Sequence, residues 1–195
     1  MLKYCVCQLA IFFDRELLQH SLLILIFVLT GFTAAAQNAD SLVYDETKKI
    51  DWSIFRGTPD VDSPGARISV RLAVSSEKRS IWTGRMKLKC HVLLYPHRCW
   101  VSEEEKNEYT LEHEQTHVNI ALLCAKKLQK DLDKMKIFSF NAPNFGKAFE
   151  NWTKEMNAME DEFDAVTNRG RDIEREKIFI ARINADLNEF RSNRK

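Results

Sequence analysis

The chain has 195 residues, which suits one domain and leaves little room for two. Apolar residues make up 45% and charged residues 29%, a balance that excludes a disordered tail and a multi-span membrane protein. The formal net charge is +1, so no strong overall field directs the chain to nucleic acid or to an anionic membrane.

Residues Leu22 to Leu29 read LLILIFVL and carry no charge. Ala34-Ala35-Ala36 follows, and small residues at Ala34 and Ala36 fit the pattern that signal peptidase reads. The apolar block is short for a bilayer span. Residues 1–36 are therefore expected to be a signal peptide cleaved after Ala36, and residues 37–195 a single exported domain without a stable membrane span. The expected location is periplasmic or secreted. The mature chain keeps Cys90, Cys99 and Cys124. Cys90 and Cys99 are close enough in sequence to pair across a turn, but spacing alone does not decide it. None of the three has C-x-x-C spacing, which argues against a thiolate metal site. Cys124 falls in an apolar helical run and reads as a small buried hydrophobe.

Residues 37–47 read as a polar lead-in. Gly57-Thr58-Pro59-Asp60 and Ser63-Pro64-Gly65 are turn chemistry. Arg67 to Val74 alternates apolar and polar residues, which predicts a half-buried strand. Met86 to Tyr95 predicts a second strand, and Trp100-Val101 a short extended segment. Ser102, followed by Glu103, Glu104 and Glu105, reads as a helix start, because carboxylates favour the positive end of the helix dipole. Helical spacing of Leu111, Val118, Ala121, Leu122, Ala125 and Leu128 predicts a helix over about 107–135. A second is predicted over about 144–167 on the stripe Phe149, Trp152, Met156, Met159 and Phe163. A third covers about 172–190 on Ile178, Ile180, Ala181, Ile183 and Leu187. Strands first and helices after predict an α+β fold: a small antiparallel sheet, then three helices.

The first helix carries His113-Glu114-Gln115-Thr116-His117. Residues at i and i+4 stand on one helix face, so two imidazoles can place ring nitrogens on one metal ion at about 2.0–2.1 Å. Glu114 projects about 100° round the helix, beside such an ion rather than onto it. There it can take a proton from a metal-activated water and pass it to a leaving amine. Catalytic zinc takes three protein ligands, and no histidine follows His117. The mature chain offers His91 and His97 upstream, and Glu155, Glu160, Asp161, Glu162 and Asp164 downstream. Spacing from Met156 and Phe163 puts Glu160 and Asp164 at the edge of the apolar stripe, without choosing between them.

With that motif and its flank, Leu111 to Ala121, go Asp51-Trp52-Ser53-x-Phe55-x-Gly57-x-Pro59, Cys99-Trp100-Val101 and Phe163-Asp164-x-x-Thr167-Asn168-x-Gly170. In this order they resemble the DUF922 group, exported bacterial proteins described as zinc-dependent proteases. The resemblance covers most of the mature chain and implies a zincin-like site. His113 and His117 would be zinc ligands, Glu114 the base, and a peptide or protein the substrate. One departure bears on the ligands. The group reads Tyr/Phe-Asp-x-x-Thr-x-His-Gly, and this chain has Arg169 at the histidine position. If that histidine ligates in relatives, Asp164, with Glu160 as the alternative, must substitute. Arg169 can instead stabilise a developing oxyanion, or stand as a surface arginine at a helix end. The leading expectation is a zinc peptidase. The alternatives are a non-catalytic metal-binding envelope protein and an interaction module whose histidines bind nothing.

Overall fold

The computed structural model describes residues 40–59 and 65–192. The expected signal peptide lies outside them. Strand β1 (Leu42–Val43) pairs antiparallel with β4 (Met86–Leu94), and β4 pairs antiparallel with β3 (Val70–Arg79), giving the order β1-β4-β3. The register sets Leu72 opposite Val92 and Val74 opposite Cys90, so one face of the hairpin is apolar. A second ribbon joins β2 (Ala66–Arg67) to β5 (Trp100–Val101). Helices α1 (Glu108–Lys134), α2 (Pro143–Val166) and α3 (Ile173–Ser192) follow. The α+β architecture read from the sequence is the one found.

Helix α1 is the centre of the molecule. Its N-cap is Asn107, whose side chain accepts a hydrogen bond from the Thr110 N–H at 3.0 Å. One face of α1 lies on β3 and β4, the other on α2 and α3. Ile120, Leu123, Cys124 and Leu128 are therefore fully buried, among Leu72, Val92, Met156, Phe163, Phe179 and Ile183. Helix α2 begins with Pro143 in its first turn, where the missing N–H costs nothing. Trp152 Nε1 donates to Asp131 at 2.9 Å and ties α2 to α1. Residues Ser41–Lys195 form one compact unit, and every residue of both apolar cores falls inside it.

Four sequence expectations need correction. The strand placed over 67–74 is two pieces: Arg67 closes β2, while β3 starts at Val70 and runs on to Arg79. Residues Ser75 to Arg79 are exposed on both faces, so they carry no apolar alternation to read. Glu103–Glu105 form a separate 3-10 turn, and the helix proper starts after Asn107. The polar lead-in contains β1, whose backbone pairs with β4 whatever its side chains are. On α3 the buried set is Phe179, Ile183 and Leu187, whereas Ile178 is 71% exposed.

Among the described residues the thiols of Cys90, Cys99 and Cys124 are free, so Cys90 and Cys99 do not pair. Cys99 is buried, donates to the Tyr95 carbonyl and accepts from the Ser69 N–H. Cys124 is a fully buried small hydrophobe, as its position in the apolar run indicated. Gly57 packs where no side chain fits: a methyl there would stand 2.9 Å from the carbonyl oxygens of His97 and Cys99. Its N–H donates to that same Cys99 oxygen at 2.7 Å, which fixes the Trp52 segment against the β4–β5 connection.

Candidate metal centre

His113 and His117 lie one turn apart on α1, and their rings are 5.1 Å apart between centroids. Helix α2 brings Asp164 to them. Its Oδ1 stands 3.4 Å from His113 Nε2 and 3.2 Å from His117 Nε2. One ligand atom from each of the three lies within 4.8 Å of the other two, so the group can hold a metal ion. Phe163, fully buried, fixes the two rings: it stacks on His113 at 4.6 Å and meets His117 edge-on at 5.2 Å. The aromatic stripe read from the sequence thus packs the core, and its Phe163 also forms one wall of this site.

Glu114, next to His113 on α1, is 4% exposed and within electrostatic reach of both imidazoles. Burial raises its pKa, and that outweighs the lowering by His117, His113 and a backbone hydrogen bond at Ile68. Asp164 shows the opposite balance. Burial works to raise its pKa, but hydrogen bonds with His113 and His117 hold it well below the usual carboxylate range.

A further carboxylate belongs to the site. Glu176 of α3 is 1% exposed, and its Oε1 faces His113 Nδ1 at 3.4 Å. Neither atom has a hydrogen-bond partner among the described residues. The other oxygen of Glu176 accepts from the Tyr109 hydroxyl. Burial and Glu176 together push the Tyr109 pKa up, so that hydroxyl keeps its proton. For His113, burial lowers the pKa, but the Asp164 and Glu176 carboxylates outweigh it and hold the ring at about 9. Sequence reasoning missed Glu176. The signal was there: positions 176, 179, 183 and 187 repeat at helical spacing, with a glutamate where the stripe is otherwise apolar.

The connection between α2 and α3 wraps the site. Asn168, Arg169 and Gly170 all have left-handed backbones, with φ of 49°, 54° and 76°. Such a conformation costs a non-glycine residue about 1 kcal/mol or more, and persists only where its surroundings impose it. Buried Thr167 imposes it: its hydroxyl donates to the Phe163 carbonyl at 2.7 Å and accepts from the Gly170 N–H at 3.2 Å. A methyl on Gly170 would stand 3.2 Å from His113 Nδ1. Asp161, Asp164, Asn168, Arg169 and Arg171 line a cavity of about 440 Å³. Asp164 is thus reached from open space on one side and from the imidazoles on the other.

Of the expected site residues, the structure brings together His113, His117 and Asp164. Glu160 contributes no atom to the group and sits one turn back along α2, where burial raises its pKa to about 7. Glu162 is engaged elsewhere, with Arg182 at 3.1 Å. His91 is held in the sheet by the Ser75 hydroxyl at 2.8 Å, and His97 is exposed on the turn after β4. Arg169 is exposed and shares the cavity with Asp164. The chain matches no protein-family model, no curated protein and no solved structure. What characterises it is the site itself: two imidazoles and a carboxylate, on two helices, arranged so that they can hold a metal ion.

Proposed function

We propose that the chain is a zinc-dependent hydrolase of peptide bonds, exported from the cell. The observation that carries this is the convergence of His113, His117 and Asp164, with Glu114 buried beside them. The donor set suits zinc, because two imidazoles and one carboxylate are the ligands of a catalytic site with an open position. His113 adds a second point of fit. Its Nδ1 is buried against a carboxylate, and ligating histidines commonly donate their other ring N–H to one. Bound there, zinc would act as a Lewis acid and bring the pKa of a coordinated water to about 7.

The protein's own groups account for the rest of the reaction. Glu114 accepts the water proton on its carboxylate and delivers it to the departing amine nitrogen, while the water oxygen joins the acyl carbon. Its raised pKa suits this exchange, since a base works best when its pKa approaches the operating pH. The cavity beside Asp164 receives the substrate, and Arg169 in its wall offers a cation to the developing oxyanion. The motif resemblance to the DUF922 group and the apolar leader support export and peptide hydrolysis. Glu114→Gln provides the test: the variant should keep its zinc and lose peptide cleavage by about 10²- to 10⁴-fold. Zinc retained by a wild-type chain that cleaves no peptide would leave a metal-binding envelope protein instead.

A further inference from the structure

The hairpin of β3 and β4 ends in the turn Ser80–Arg85, whose base lies against residues 135–138. Its turn is closed by the Ser80 N–H donating to the Arg85 carbonyl and the Gly84 N–H to the Ser80 carbonyl, both at 2.8 Å. At the tip Ile81 is 90% exposed and Trp82 is 91% exposed. Among the described residues, no packing explains two large apolar side chains so fully exposed. The exposure does not stop at the turn. Met86 bridges to Ile137, and a methyl on Gly84 would reach Phe138, itself 49% exposed. Phe140, 43% exposed, follows two residues on.

Cations surround these side chains. Lys78 and Arg79 end β3, Arg85 closes the turn, and Lys136 adjoins the Met86–Ile137 bridge; all four are exposed. The acids at this end are engaged: Glu77 pairs with Lys87 at 2.8 Å, and Asp133 accepts from Gln129 at 2.8 Å. The overall charge of +1 therefore conceals a basic tip. We infer that this tip docks the protein on an anionic lipid surface. Ile81 and Trp82 enter the headgroup layer, and Lys78, Arg79, Arg85 and Lys136 meet the lipid phosphates.

Shape and composition favour lipid over other partners. The tip is a convex turn, which inserts rather than receives. Tryptophan belongs at the boundary between headgroups and acyl chains, and each basic residue near such a surface strengthens binding. A protein interface core is depleted in lysine. A nucleic-acid strand calls for a basic groove along which bases stack, and a hairpin turn offers none. Two inserted side chains give reversible attachment rather than a span. Among the described residues no helix is long and apolar enough to cross a membrane. The tip also lies away from the metal centre: Lys134, at its end of α1, is about 25 Å of helix rise from His117. Docking there leaves the cavity beside Asp164 open, and it does not depend on the peptidase reading.

The test uses residues 41–195, which contain both cores and omit the apolar leader, in co-sedimentation with lipid vesicles. The chain should bind vesicles rich in phosphatidylglycerol, bind phosphatidylcholine vesicles about tenfold or more weakly, and release in high salt. The double variant Ile81→Ser with Trp82→Ser should lose about tenfold or more in affinity, with its melting temperature unchanged, because both positions lie outside the core. Replacing Lys78, Arg79 and Arg85 by glutamine should remove the preference for anionic lipid. Equal binding to both vesicle types, double-variant binding equal to wild type, or tighter binding to single-stranded DNA than to vesicles would each overturn the inference.

Discussion

His113 is constrained on three sides: by the Phe163 ring, by Glu176 at Nδ1 and by Asp164 at Nε2. With a metal bound at His113, that arrangement would let Glu176 orient the ligand without being one. Glu176→Gln should weaken zinc binding by about 10- to 100-fold in a competition titration, and Tyr109→Phe should weaken it less. The pH dependence follows from the same contacts. In the metal-free chain the His113 pKa is raised from 6.5 to about 9. A raised histidine pKa contributes stability that is fully present below 6.5 and lost as pH rises through about 9. Metal must displace the same proton, so zinc affinity should rise with pH and level off near 9. Calorimetry in buffers of different ionisation enthalpy should record a released proton at neutral pH. Proton-neutral binding at that pH would contradict the contacts assigned to His113.

At the scale of elements, three helices and a connection each supply part of the centre. Helix α1 gives the imidazoles and Glu114, α2 gives Asp164 and Phe163, α3 gives Glu176, and residues 168–170 close the side next to His113. Gly170→Ala should be costly for its size, because it strains a positive φ and presses a methyl on His113. A loss of about 1–2 kcal/mol in denaturant unfolding is expected, together with weaker zinc binding. The elements that were legible in the sequence are those whose apolar residues recur at a regular period. Helix α1 repeats its apolar residues regularly and begins at Asn107, so its extent was readable within a residue or two. The spacing of Met156, Asp164 and Phe163 also put the candidate third ligand on α2, though not at a single residue. Less was legible where geometry depends on a neighbour. The pairing of Leu42 with Leu94 is made by backbone. The left-handed run at 168–170 is imposed by Thr167, and the choice of Asp164 over Glu160 needs the tilt of α2 across α1.

For the whole molecule, a metal held between α1 and α2 would link the site to folding. At free zinc about 1,000-fold above the dissociation constant, binding stabilises the native state by about 4 kcal/mol. For a domain of this size that corresponds to a rise of about 10 °C in melting temperature, and a chelator should remove it. Zinc content reports on the cage of two imidazoles and one carboxylate without any assay of activity. Purified residues 41–195, dialysed and analysed for metal, should carry one tightly held zinc per chain. His113→Ala, His117→Ala and Asp164→Asn should each lose it while Glu160→Gln keeps it. A wild-type chain that holds no more zinc than His113→Ala, or an Asp164→Asn chain that still holds one, would contradict the account.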